Sequence, residues 1–224
     1  SLPVDIGSWT ELNGVRLDLT DDYILTRNLL SSDSDYSGLG SAWSPIGTGS
    51  GAAFSGTFNG CGYSISNLTI SASGTDNIGL FGYTSSTAVL SNVHLENGNI
   101  LGRYNVGGVV GYNSSGSISN SYNTGIVSGV TNVGGLVGSN AGSGTLSNSY
   151  NIGNVIGSGI VGGLVGGNYG SVSNSFNTGS VSGNSYVGGL AGWNVGGTIS
   201  NVYSTGSVSG SSGGSYFGGL VGNN

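Results

Sequence analysis

The chain has 224 residues, 48 glycines and a net charge of −6, with charged side chains at only 5% of positions. Two prolines and no strict Gly-X-Y period exclude a collagen-like chain, while a hydrophobic fraction of 36% separates it from disordered tracts. Lysine is absent, and Arg16, Arg27 and Arg103 form no basic run, so neither nucleic acid nor an anionic membrane surface is an expected partner.

Ser1 opens the chain with neither Met nor a signal-like stretch, which reads as a processed or excised form. No apolar run approaches the ~20 residues of a membrane span, so no membrane insertion is expected. Low charge with abundant Ser, Thr and Asn points to an extracellular or cell-surface setting. Residues 1–50 read as an N-terminal opening and capping segment. Within "RLDLTDDYILT", Asp18, Asp21 and Asp22 are expected to cap a strand or polarise an edge. "DSDYSG", Asp33–Gly38, begins like a calcium loop with Asp33 and Asp35 as candidate ligands. Ser44 stands where the bidentate Glu would be needed, so a solvated turn is the reading, with no metal and no cofactor. Cys61 is alone, cannot form an intrachain disulfide, and is expected to be a buried structural thiol. Asn67-Leu68-Thr69 and Asn113-Ser114-Ser115 make Asn67 and Asn113 candidate N-glycosylation sites.

From residue 51 onward the chain repeats itself. Gly79, Gly108, Gly135, Gly163, Gly189 and Gly219 fall in one column, spaced by about 26 to 30 residues, the range of repeat architectures. Leu90, Ile118, Leu146, Val172 and Ile199 make an aliphatic column, and Ile100, Val127, Val155, Val181 and Val208 a second. Asn92, Asn120, Asn148, Asn174 and Asn201 follow the first aliphatic column by two residues, and His94, Tyr122, Tyr150, Phe176 and Tyr203 follow by four. Asn113, Asn140, Asn168, Asn194 and Asn224 close each Gly-rich turn.

In "SISNSYN", Ser117–Asn123, the alternation is period two, putting Ile118, Asn120 and Tyr122 on one face and the serines on the other. For "VGGLVG" the inward parity stays open, since Leu136 and Val137 fall on opposite faces of a regular strand. Short strands recurring once per repeat describe an all-β chain, a parallel β-solenoid with one coil per repeat and coils ~4.8 Å apart. Stacked asparagines of the Asn92 column can then satisfy one another as a ladder, and the aromatic column beginning at His94 can stack likewise. His94 is expected to be packed rather than catalytic.

The pattern VGGLVG, then Asn, then ISNSYNTG and VSG, clearest over residues 77–224, resembles the GLUG motif of large bacterial and archaeal surface and secreted proteins. The lead-in "FSGTFNGCGYSISNLTI" over Phe54–Ile70 resembles that of the same proteins, and "DDYILTRNL" over Asp21–Leu29 resembles the strand that opens their solenoids. The resemblance implies a right-handed parallel β-helix over residues 51–224 and a non-catalytic, adhesin-like role.

Function follows from what the repeats lack. From Tyr104 to Asn224 there is no Asp, Glu, Lys, Arg, His or Cys, so general acid–base catalysis and ordinary metal sites have no residues to use there. The expected role is structural or adhesive: a stalk, matrix or fibre subunit whose partners are the rest of a larger surface protein or further copies of itself. The final repeat breaks off at "FGGLVGNN", which predicts continuation or end-to-end association. The alternative is glycan binding through Tyr83, Tyr112 and Trp193 after the Gly-rich turns. Ice binding ranks below both, because Ile152 interrupts the Thr124, Thr178, Thr205 column.

Overall fold

Each repeat forms one coil of short parallel strands in the computed structural model, which describes residues 2–210 and 214–224 in full. One coil runs through Ser117–Ser119, Tyr122–Asn123, Ile126–Ser128, Thr131–Gly134 and Val137–Ala141. The next begins at Thr145–Ser147, where Ile118 lies opposite Leu146 in parallel register. Every named strand pairs with its equivalent in the neighbouring coils, and two of the four sheets hold six strands each, giving about six turns. This is a parallel β-helix.

The stacking begins earlier than residue 51. Val4–Ile6 pairs with Tyr23–Leu25, which pairs in turn with Thr57–Asn59, so the opening segment continues the solenoid's own eight-stranded sheet. The helix Trp9–Gly14 is capped by Ser8, whose side chain accepts from the Glu11 N–H. It places Trp9 and Leu12 in the core, with Trp9 edge-on to Tyr36 and Trp43 at 5.5 and 6.3 Å.

The two aliphatic columns fill the interior. Leu90, Ile118, Leu146 and Val172 are fully buried on one wall, and Val127, Val155 and Val181 on another. Each such side chain stabilises the fold by roughly 1.5–3 kcal/mol. A single coil would leave these side chains half wet; its neighbours above and below complete their burial.

Two corners depart from regular alternation. At the first, Asn92, Asn120, Asn148, Asn174 and Asn201 all adopt left-handed backbone, with φ between 49° and 53°. Asn tolerates that region better than other non-glycine residues. The turn resets the parity, so Ile118 and Ser121 are both buried while Asn120 is exposed. The expected inward Asn92 column is therefore a corner column at the surface. At the second corner, the N–H groups of Val109 and Val110 both donate to the Leu136 carbonyl, each at 3.0 Å. The chain bends there, and Leu136 and Val137 both point inward.

The paired glycines at this bend answer to close backbone packing. A Cβ on Gly134 would lie 2.1 Å from the Val137 carbonyl oxygen, and one on Gly135 would lie 2.3 Å from the buried Asn151 amide. Cys61 also differs from expectation. It is exposed, at a turn with φ 51°, because the polar "NGCG" corner points away from the core.

Candidate functional site

The interior carries two files of amides. Asn113 Nδ2 donates to Asn140 Oδ1 at 2.9 Å, Asn140 to Asn168 at 2.9 Å, Asn168 to Asn194 at 2.8 Å and Asn194 to Asn224 at 2.6 Å. Thr84 starts this file by donating its hydroxyl to Asn113 at 2.8 Å. Each amide also reaches a local glycine carbonyl, as Asn140 does with Gly144 at 3.0 Å. The second file is Asn123, Asn151 and Asn177, linked at 3.0 and 2.9 Å. Ser121, Ser149 and Ser175 form a third: Ser149 Oγ accepts from the Ser121 N–H and donates to the Ser147 carbonyl. No buried side-chain nitrogen or oxygen among the described residues is left without a partner. A lone buried amide would cost roughly 1–3 kcal/mol; the vertical register removes that cost.

The Asn123 and Ser121 files were hidden in the sequence by the parity change at Asn120. Their signal was the recurring "SYN" itself. Asn92 and Asn201 make surface amide contacts, to Asn59 at 2.8 Å and Asn174 at 3.2 Å, and no buried ladder runs through that column. Asn113, a candidate N-glycosylation site, lies fully buried in the first amide file, where a glycan would displace core packing. Asn67 is half-buried at a left-handed turn, and its amide donates to Ser31 at 2.8 Å.

Aromatic rings line the outside. His94, Tyr122, Tyr150, Phe176 and Tyr203 stack face to face with centroids 4.4, 5.0, 4.9 and 4.9 Å apart. The stack presents ring edges outward, because the faces are spent on one another. Burial lowers the His94 pKa. Burial, then a hydrogen bond to Glu96 at 2.7 Å, raises that of Tyr122 well above the ordinary tyrosine range. A second stack joins Tyr83 to Tyr112 at 4.8 Å. In register beyond Tyr112 come Ser139 and Gly167, then Trp193, which stacks on Tyr186 at 5.6 Å. Tyr83, Tyr112 and Trp193 thus share one column, interrupted by two small residues. Tyr169, exposed beside that gap, was missed in the sequence because it lies just past the end of the strand Val165–Asn168, two positions beyond Gly167.

The two candidate metal-ligand carboxylates and two of the arginines are engaged in the fold. Asp33 pairs with Arg27 at 2.5 Å and accepts from the Leu30 N–H at 2.9 Å, whereas Asp35 accepts from the N–H and hydroxyl of Thr10 at 2.8 and 2.9 Å. The two carboxylates serve separate contacts instead of converging on an ion. Asp76 holds Arg103 through two bonds, at 2.7 and 2.9 Å, and its own pKa is lowered by that guanidinium. Arg16 lies 4.2 Å over the Trp43 ring. Among the described residues no three His, Cys, Asp or Glu side chains are grouped to hold a metal, and no helix is long and apolar enough to cross a membrane.

Stacked coils, glycine bends and buried amide files define a parallel β-solenoid, and within it residues 102–128 and 183–209 match the GLUG motif. Over 138 residues, 61% of the chain, it is 40% identical to Halomucin of Haloquadratum walsbyi, of which the match spans 1%. In fold it resembles a Bacteroides ovatus protein provisionally described as an immunoglobulin A1 protease. That similarity has a TM-score of 0.76 at 20% identity and covers 97% of this chain and 70% of that one. At this identity the likeness speaks for the fold alone.

Proposed function

We propose that the chain is a non-catalytic structural module of an extracellular or cell-surface protein, a stiff solenoid that spaces and presents what it is joined to. The observation that carries this reading is the continuity of the hydrogen-bonded files through successive coils, in a segment with no Asp, Glu, Lys, Arg, His or Cys from Tyr104 to Asn224. Such files make each coil the template for the next. The GLUG repeats and the likeness to a protein named as a mucin support an external setting.

Antibodies raised against the chain should label intact source cells or their secreted matrix; labelling confined to permeabilised cells would overturn the external setting. Incubation with immunoglobulin A1 should leave that substrate whole, and specific cleavage would overturn the non-catalytic reading. Excising one register repeat, residues 133–160, should give a folded rod shorter by ~4.8 Å in solution scattering. An unfolded product would contradict a modular spacer.

A further inference from the structure

Tyr83 and Tyr112 stack, but the file then stops. The far face of Tyr112 looks onto a rung carrying Ser139, and the next rung carries Gly167. The result is a shallow cleft of about 620 Å³, with Tyr112 at one end, Tyr169 at another and Ser139 and Ala141 on its floor. Tyr169 is 42% exposed.

Asn105 and Asn132 form the side wall. Asn132 donates its amide to Asn105 at 2.9 Å, and Asn105 donates to Asn77 at 2.9 Å. On the following rung Ile160 precedes Val161 as Asn132 precedes Val133, so this amide file ends at Asn132. Among the described residues no donor meets Asn132 Oδ1, which lies 3.4 Å from the position of a Cβ on Gly167. The cleft thus offers an open aromatic face, a second exposed ring and an amide oxygen, with no charged side chain in its lining.

We propose that this cleft binds one pyranose unit of a neutral glycan, seated on the open face of Tyr112 beside Tyr169 and donating a hydroxyl hydrogen bond to Asn132 Oδ1. A pyranose chair is about as thick as one rung of the solenoid, so it takes the place that the missing ring leaves. Its apolar C–H face suits the aromatic plane, and its hydroxyls suit the amides. The uncharged lining selects against uronates, phosphates and sulfates, which would lose hydration with no cation to replace it. The face-to-face column from His94 to Tyr203 has no such opening between its rings. This binding goes beyond the structural role and stands or falls separately from it.

Affinity electrophoresis of the whole chain tests it, in native gels cast with a soluble β-glucan, a galactomannan or a mannan, and with alginate as the anionic comparison. At least one neutral polysaccharide should retard the chain, and alginate should not. Tyr112→Ala and Tyr169→Ala should each weaken the retardation about tenfold. Ser139→Tyr, at a position only 3% exposed, adds a third ring to the Tyr83–Tyr112 stack and should abolish it in a chain that still folds. Tyr203→Ala, away from the cleft, should behave as the parent chain. The proposal is overturned if no neutral gel retards the chain, if alginate retards it equally, or if folded Tyr112→Ala, Tyr169→Ala and Ser139→Tyr chains all match the parent.

Discussion

Replacing Asn140 by Ala removes three hydrogen bonds from a fully buried position: donations to Gly144 and Asn168 and acceptance from Asn113. The partners do not suffer equally. Gly144 keeps the Ser171 N–H on its carbonyl, and Asn113 keeps the Gly116 carbonyl for its amide. Asn168 Oδ1 loses its donor from the file. One stranded buried acceptor costs roughly 1–3 kcal/mol and the two other bonds about 1 kcal/mol each, so the total is about 3–5 kcal/mol. At about 2–4 °C per kcal/mol for a chain of this size, the melting temperature should fall by about 6–20 °C. Asn148→Ala is the matched comparison. It alters an exposed corner residue at φ 50°, where Ala pays the left-handed penalty of about 1–2 kcal/mol. Thermal and urea unfolding of the two variants decides the matter. Equal losses, or a larger loss for Asn148→Ala, would refute the assignment of the buried file to Asn140 and of the corner to Asn148.

Gly134→Ala would force a Cβ to within 2.1 Å of a backbone oxygen and should cost more than about 3 kcal/mol or abolish soluble expression. Gly14→Ala, with nothing within 4 Å, should leave the melting temperature unchanged or raise it; a reversed order would contradict the packed bend. Because the folded state raises the Tyr122 pKa, its contribution to stability is complete below about pH 10 and is lost as pH climbs through the raised value. Ultraviolet titration should show Tyr122 ionising after ordinary tyrosines, and Glu96→Gln should bring its onset down; an unmoved onset would rule out the Glu96 bond as a cause. The exposed Cys61 thiol should react with Ellman's reagent in native buffer, whereas reaction confined to denatured chain would place it in the core.

The period was legible because stacking imposes it. A side chain that fits between two rungs fits between the next two, so Leu90, Ile118, Leu146 and Val172 announce one wall without any structure. Parity was not legible, because alternation presumes an extended backbone. The left-handed turn at Asn120 and the bend at Leu136 each shift it by one residue. That shift turned Asn120 outward, brought Ser121 and Asn123 inward, and hid two of the three buried polar files. The recurrence of Asn at a fixed corner carried the information, since Asn is the residue expected at positive φ as well as in ladders. The sequence column of Tyr83, Tyr112 and Trp193 located one wall of the cleft. Its other walls come from Tyr169, just past the end of the strand that carries Gly167, and from Asn132 on a different strand, which no single column connects.

Vertical register is tested most directly by crosslinking neighbouring coils. In a Cys61→Ser background, Ser117→Cys with Thr145→Cys replaces two hydroxyls that lie 3.2 Å apart on adjacent rungs, within the geometry of a disulfide. Mild oxidation should close that bridge within one chain and raise the melting temperature. The offset pair Ser117→Cys with Ser147→Cys, about 8 Å apart by strand spacing and rise, should stay reduced. Closure of the offset pair in preference to the matched one would contradict coil-on-coil stacking in this register.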